Sequence, residues 1–216
     1  LLADGTDTGK TLTLNEAGNW KGSFDGLRKY NTDGTEIVYT VKEDDVANYT
    51  NAITGDIASG FTITNTNTEK VDVSAKKEWV GPKAGPVTVR LLADGVDTGK
   101  TITLSDSNSW TDTFSGLDKY KADGTAIVYT VKEDDITNYT STTTGDATTG
   151  FTITNTNTEK VNVPVTKIRI GPKAGPVTVH LLADGTDTGK TLTLDEAGNW
   201  TGTFSSLDKY KADDTE

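Results

Sequence analysis

The chain has 216 residues with one histidine and neither cysteine nor methionine, and its formal net charge at pH 7 is −11. The missing cysteine excludes a disulfide framework and thiolate metal sites. The negative charge disfavours nucleic acid or an anionic membrane as a partner, because both repel an acidic surface. No apolar run is long enough for a membrane span or a signal peptide, although such segments could lie outside this stretch of sequence.

An internal repeat with an offset of ninety residues organises the chain. The decapeptide Phe-Thr-Ile-Thr-Asn-Thr-Asn-Thr-Glu-Lys begins at Phe61 and again at Phe151, and Leu-Leu-Ala-Asp-Gly begins at Leu1, Leu91 and Leu181. Such a repeat fixes the unit of folding. We predict a partial repeat at 1–70 that lacks its first strands, a complete repeat at 71–160, and a partial repeat at 161–216 that lacks its last strands.

The first half of the complete repeat contains four predicted strands. Alternation places Val73, Ala75, Lys77 and Trp79 on one side of an opening strand, which breaks at 81–86. The runs 87–93 and 100–104 flank an Asp-Gly turn pair and predict a hairpin. A fourth strand is expected at 109–114, with Trp110 as its apolar anchor.

The second half is predicted to begin with an irregular loop or a single helical turn at 116–124. Thr125 to Asp134 gives the clearest strand pattern, and 138–144 and 151–157 complete about seven strands. No stretch has helical periodicity. Seven short strands in ninety residues indicate an all-β fold, with each repeat an independent β-sandwich rather than a solenoid turn. The connection at 158–161 contains neither Gly nor Pro, so we expect it to be short and stiff.

Three polar residues occupy inward positions of this pattern: Lys77 on the first strand, Glu133 on a middle strand and Asn155 on the last. Burying them costs several kcal/mol unless they satisfy one another. A hydrogen-bonded polar cluster and an error of strand register are two interpretations. The third is covalent: burial disfavours both charges, so a neutral Lys77 amine could attack the Asn155 side-chain carbonyl while Glu133 shuttles protons and ammonia leaves. The product would be an isopeptide bond.

At these residues the sequence resembles the Cna B-type domains of Gram-positive surface proteins. The matching motifs are Lys77-Glu-Trp79, the strand Tyr129-Thr-Val-Lys-Glu133 and the closing Ile153-Thr-Asn155, and the resemblance covers essentially the whole chain. It implies an inverse immunoglobulin-like sandwich that serves as a stalk or pilus module on the cell surface, with a lysine and an asparagine joined by the help of an acidic residue.

The resemblance also carries this role to positions in the partial repeats. Glu43 and Asn65 are the equivalents in the first repeat, and Lys167 is the equivalent in the third. The third repeat departs from the pattern at Arg169, which stands where the second has Trp79. Lys77 is preferred to Lys76 because Thr166 matches Lys76, and Asn155 is preferred to Asn157, which stands nearer the strand end.

Other signals have simpler explanations. The acidic clusters at 94–97, 123–125 and 133–135 lack the spacing of an EF-hand and fit turns, so we predict no metal and no cofactor. His180, which replaces Arg90, is expected to be a surface residue. The hydroxyls of 141–144 fit a solvated strand face, although they could carry glycans.

Two functions from different classes remain open. One is a structural spacer in an extracellular, cell-wall-anchored adhesin or fibre, whose partners are neighbouring repeats and possible further copies. The other is a module that binds a host or matrix ligand. We favour the spacer, because recognition usually needs distinctive loop or pocket residues that near-identical repeats do not offer. An enzyme with turnover is the least favoured.

Neither end of the chain coincides with a predicted domain boundary. Leu1 corresponds to Leu91 within a strand, and Glu216 corresponds to Ala126. The chain is therefore either a window from a longer array, or its partial ends complete one another between copies, with Lys167 of one copy beside Glu43 and Asn65 of another. Complementation would leave 181–216 as a duplicate of 1–36, so we favour the window.

Overall fold

A computed structural model describes residues 1–172 and 174–213. Lys173 and 214–216 of the predicted third repeat lie outside the described residues. The chain divides into two compact units, the first formed by 1–71 with 117–127 and the second by 72–116 with 128–216. Within the described part, no helix is long and apolar enough to cross a membrane.

The first unit contains five short strands and little core. One sheet has the order β2-β1-β3, and β4 and β5 form an antiparallel hairpin. Tyr39 is buried, whereas Trp20 and Val38 are exposed. The strands are β1 (Leu2–Ala3), β2 (Thr6–Asp7), β3 (Tyr39–Thr40), β4 (Tyr49–Asp56) and β5 (Gly60–Asn67).

The second repeat supplies seven strands in two sheets, of three strands (β10-β7-β8) and four strands (β11-β12-β6-β9). The predicted all-β sandwich is therefore confirmed. The strands are β6 (Lys70–Val80), β7 (Val87–Ala93), β8 (Val96–Leu104), β9 (Thr111–Asp118), β10 (Tyr129–Glu133), β11 (Tyr139–Asp146) and β12 (Gly150–Asn157).

The core of this repeat lies between the two sheets. Alternate residues of each strand point inward, as the two-residue period of a strand requires. Val73 and Ala75 of β6 and Ile153 of β12 face Val89 and Leu91 of β7, and all five are buried. The polar outer faces remain in water, which explains how a chain with only 33% hydrophobic residues closes a core.

Three local details differ from the sequence prediction. The strand expected at 125–134 begins only at Tyr129, because the backbone N–H of Val128 donates to the Asp94 carboxylate (3.0 Å) instead of a strand ladder. β9 continues to Asp118, so part of the expected loop at 116–124 is extended. A single 3-10 turn at Asp106–Asn108 precedes β9, and Trp110 then adopts a left-handed conformation with φ 61°.

The third repeat contains strands equivalent to those in the first half of the second repeat. β13 pairs with β16 and β14 pairs with β15, and Leu194 and Phe204 are buried. β13 ends at Thr166, just before Lys167, whereas β6 continues through Lys77, the equivalent of Lys167, to Val80. In β6 this extension pairs with β12, and no described strand does the same for 167–170. The strands are β13 (Lys160–Thr166), β14 (Val177–Ala183), β15 (Thr186–Leu194) and β16 (Thr201–Asp208).

Candidate functional site

The site lies inside the second repeat, where Lys77, Glu133 and Asn155 meet in the core. Their relative exposures are 3%, 6% and 1%. Lys77 Nζ lies 3.1 Å from Glu133 Oε1, and it also donates to the backbone carbonyl of Ile153 at 3.5 Å. A lysine and a glutamate thus share one closed compartment with an asparagine side chain.

Strand pairing explains how residues so distant in sequence come together. β12 runs parallel to β6, with Ile153 opposite Lys77 and Asn155 opposite Trp79. Lys77 and Asn155 therefore lie on neighbouring strands of one sheet and on the same inward face. Glu133 belongs to β10 in the other sheet, where it is opposite Val89. The Glu133 carboxylate reaches the Lys77 ammonium across the interior of the sandwich.

The hydrogen bonding of this compartment is incomplete. Neither Oδ1 nor Nδ2 of Asn155 has a hydrogen-bond partner among the described residues, although both atoms are buried. Glu133 Oε1 is near the Lys77 ammonium but is not aligned for a hydrogen bond with it. Buried polar groups normally find partners, because each one left unsatisfied costs about 1–3 kcal/mol. An amide with both atoms unpaired therefore calls for a chemical explanation.

Burial and the neighbouring carboxylate act on Lys77 in opposite directions. Removal from water lowers the pKa of Lys77, and this effect outweighs the attraction of the nearby Glu133 carboxylate, which raises it. The net shift is downward. The amine consequently loses its proton more easily than an exposed lysine does, and a neutral amine is a nucleophile.

Aromatic side chains form one wall of the compartment. Lys77 Nζ lies 4.6 Å from the ring centroid of Trp79. Trp79 makes edge-to-face contacts with Trp110 at 5.5 Å and with Tyr139 at 5.2 Å between centroids. Trp110 and Tyr139 were not among the predicted site residues. The available signal was that Trp79 shares the inward side of β6 with Lys77.

Comparison with known proteins places the chain in a family by its sequence. The sequence profile of the Cna protein B-type domain matches residues 1–66, 73–156 and 168–216. The chain belongs to the Cna B-type domain family. A collagen adhesin of Staphylococcus aureus is 35% identical over 224 residues, a match that covers 97% of this chain but only 18% of the adhesin.

Solved structures of Cna B-type repeats are also similar in sequence. A crystal structure of two B repeat units of the collagen binding protein of Staphylococcus aureus is 35% identical and covers 97% of this chain and 58% of its own, with a TM-score of 0.46. A single B repeat unit of the same surface protein is 37% identical and covers 73% of this chain and 84% of its own, with a TM-score of 0.40.

The first Cna B-type repeat contains part of the same constellation. Asn65 Nδ2 donates to Glu43 Oε1 at 2.9 Å. Asn65 is exposed and Glu43 is half-buried, and no lysine forms an ion pair with Glu43 among the described contacts.

The third Cna B-type repeat contains the lysine. The backbone N–H of Lys167 donates to Trp200 O at 2.8 Å, as that of Lys77 does to Trp110 O at the same distance, but the Lys167 side chain is exposed. Arg169 replaces the indole of Trp79 with a guanidinium, which lies 4.5 Å over the Trp200 ring and donates to the carbonyl of Gly175.

The alternative residues lie elsewhere. Lys76 is exposed and forms an ion pair with Glu78 at 2.7 Å. Asn157 accepts the backbone N–H of Glu159 at 2.9 Å, so it belongs to the link between repeats. His180 is an exposed strand residue that contacts Asp187 at 3.1 Å. Among the described residues, no group of three or more acidic or histidine side chains is arranged to hold a metal ion.

Proposed function

We propose that this chain is a spacer segment of an extracellular adhesin or pilus-like fibre, and that its complete repeat is cross-linked by an isopeptide bond between Lys77 and Asn155. The observation that carries the proposal is the buried Lys77–Glu133 pair beside an Asn155 amide with no hydrogen-bond partner. Residues 1–66 and 168–216 match the same family profile, so the segment is built from one kind of module.

The reaction requires only the three side chains. Glu133 takes a proton from the Lys77 ammonium, which leaves a neutral amine and a neutral carboxylic acid. The amine nitrogen attacks Cγ of Asn155 while the Glu133 O–H donates to Oδ1 and supports the developing negative charge. One proton from the Lys77 nitrogen then passes to Nδ2, which leaves as ammonia.

The atoms of this step balance without an oxidant or a second reactant. One C–N bond forms between Lys77 and Asn155, and one breaks between Cγ and Nδ2. The remaining proton stays on Glu133 or departs with the ammonia as ammonium. Each site reacts once, so the repeat is not an enzyme with turnover. The aromatic wall supports the reaction by excluding water, which would stabilise the charged forms of both reactants.

The position of the bond suits a protein that bears tension. Lys77 lies on the first strand of the repeat and Asn155 on the last, and these strands are parallel neighbours. Force applied through the two ends of the repeat would therefore pass from β6 to β12 through the covalent bond. The strands and loops between them would carry little load.

A ligand-binding role is the second candidate, because the relative that the chain matches is named a collagen adhesin. The chain spans 18% of that protein's length, so binding by the adhesin does not transfer to this segment. Repetition of one module favours support over recognition. Specific, saturable binding of collagen to the 216-residue chain would reverse this preference.

Intact-mass measurement of the whole chain tests the cross-link. We expect a mass lower than the sequence mass by one ammonia, since only the second repeat holds all three residues. Glu133→Ala should restore the full sequence mass while the far-UV spectrum stays β-rich. A wild-type chain at its full sequence mass would contradict the proposal and leave the three residues as a polar cluster.

A further inference from the structure

The link between the second and third repeats is held by side chains at the end of one and a surface of the next. The backbone N–H of Lys209 donates to the carbonyl of Glu159 at 3.1 Å. The Lys209 ammonium lies 3.6 Å from the Glu159 carboxylate. The adjacent Lys160, the first residue of β13, forms a second ion pair with Asp208, its cross-strand partner at the end of β16. Two consecutive residues, Glu-Lys, thus meet two consecutive residues of complementary charge, Asp-Lys.

The Glu-Lys pair is itself anchored to the repeat that precedes it. Asn138 Nδ2 donates to Glu159 Oε1 at 3.1 Å. Asn157 Oδ1 accepts the backbone N–H of Glu159 at 2.9 Å. Asn157 ends β12 and Asn138 precedes β11. These hydrogen bonds therefore fix Glu159 to the second repeat, in the position from which its side chain contacts Lys209.

The same arrangement occurs a second time, within the first unit. The backbone N–H of Lys119 donates to Glu69 O at 3.1 Å, and its ammonium lies 2.9 Å from the Glu69 carboxylate. Lys70 forms an ion pair with Asp118. Glu69 also accepts from Asn67, the counterpart of Asn157. Both links therefore have one set of contacts, placed where the first strand of a repeat begins beside the end of β9 or β16.

We propose that the Asp-Lys pair at 118–119 and 208–209 is a docking surface for the Glu-Lys segment that leads from the preceding repeat into β6 or β13, and that its first residue decides which connecting segment can dock. The lysine of the Asp-Lys pair is common to the repeats and forms an ion pair with the glutamate of the Glu-Lys segment. The aspartate forms an ion pair with the lysine that follows that glutamate. An exposed ion pair alone is weak, but here two pairs and a backbone hydrogen bond act together across a very short link, where the effective concentration is high.

The first repeat carries a different surface at this place. Arg28 occupies the position of Asp118 and Asp208, and Lys29 occupies that of Lys119. Both side chains are exposed, and the contact of Lys29 with Glu36 is long at 4.0 Å. A Glu-Lys end would bring its lysine against Arg28. The surface at 28–29 instead fits a repeat of this family whose end carries two acidic residues.

Charge reversal at the second link tests this rule in the whole chain. Asp208→Arg copies the first repeat's surface and should repel Lys160. We expect hydrogen exchange of the Lys209 amide to become about three- to tenfold faster, because lost attraction changes the docked population by up to about fivefold and added repulsion by up to about twofold. Adding Lys160→Glu should restore slow exchange. The Lys119 amide at the other link is the internal control and should not change.

The outcomes separate the proposal from its alternatives. Unchanged exchange at Lys209 in Asp208→Arg would overturn it, as would a double variant that exchanges as fast as the single variant. Equal acceleration at Lys119 and Lys209 would mean a general loss of stability and would also overturn it. Intact mass, followed in parallel, reports the proposed cross-link separately, since 160 and 208 lie outside the site at Lys77.

Discussion

The second and first repeats contain the same Glu and Asn at equivalent sequence positions, yet their environments differ, and Glu133 ends β10 whereas Glu43 lies outside any strand. Asn155 is 1% exposed and its amide has no hydrogen-bond partner among the described residues. Asn65 is exposed and donates directly to Glu43 at 2.9 Å. In the second repeat, Glu133 faces Lys77 instead. In the second repeat the acid thus pairs with the lysine in place of the amide, and β6, which carries the lysine, lies beside β12.

The local structure around the two asparagines is almost the same. β4–β5 and β11–β12 are antiparallel hairpins in equivalent registers, with Asn51 opposite Asn65 and Ser141 opposite Asn155. Phe61 and Ile63 are half-buried in the first, whereas Phe151 and Ile153 are buried in the second. Short-range sequence determines the hairpin, and the long-range pairing with β6 determines burial. The proposed reactivity therefore depends on the long-range pairing with β6.

Removing the lysine from the second repeat should have the largest effect. Lys77→Ala abolishes the proposed bond, so the chain should keep its full sequence mass and lose about 4 kcal/mol of stability, by analogy with a disulfide that closes a loop of this length. Thermal unfolding followed by circular dichroism measures the loss. Lys76→Ala is the matched control, because the neighbouring Lys76 is exposed. Equal melting temperatures for Lys77→Ala and Lys76→Ala would contradict the prediction.

Importing the third repeat's residue into the second should slow the reaction without removing a reactant. Trp79→Arg replaces the ring beside the Lys77 amine with a guanidinium, which would draw water into the compartment. We expect cross-linking to slow at least about tenfold, which corresponds to about 1.4 kcal/mol of activation free energy. Intact mass after timed cell-free synthesis measures the rate. Trp79→Phe, which keeps an apolar ring, should react nearly as fast as wild type, and equal rates for Phe and Arg would refute a role for the aromatic wall.

The fold could be predicted from the sequence because alternation and turn residues recur every ten residues or so. Lys77, Glu133 and Asn155 stood out because polar residues broke that alternation at inward positions. The late start of β10 could not be predicted, since it depends on the Asp94 carboxylate taking the Val128 amide, 34 residues away. Tyr139 was missed for a similar reason: its contact with Trp79 follows from the pairing of β11, β12 and β6 in one sheet.

An uncross-linked second repeat should reveal the cost of burying the lysine as a dependence on pH. In Asn155→Ala, the pKa of Lys77 stays lowered by burial in the folded state and is ordinary in the unfolded state. Between the lowered and ordinary values the unfolded chain holds more protons, so stability should rise with pH, by at most about 1.4 kcal/mol per pH unit. Denaturant titrations across this range measure it.

The control for that titration replaces the amine with an apolar chain. Lys77→Met in the Asn155→Ala background removes the titrating group, so its stability should lack the rise. Parallel curves for the two variants would mean that the Lys77 amine is protonated to the same degree in both states. Below the lowered pKa, where both states are protonated, both curves should run parallel in any case.

The smallest effect is expected from the same acid in the first repeat. Glu43→Ala removes a hydrogen bond to an exposed asparagine, and exposed polar contacts of this kind change stability by about 0.5 kcal/mol or less. The intact mass should not depend on Glu43, because the Glu43–Asn65 pair has no lysine beside it among the described contacts. Glu133→Ala, measured in parallel, should change both mass and melting temperature. A wild-type chain that loses two ammonia molecules, one of them only when Glu43 is present, would contradict this prediction. It would show that the first repeat obtains a lysine from elsewhere. The two repeats would then differ in the source of the lysine and not in its absence.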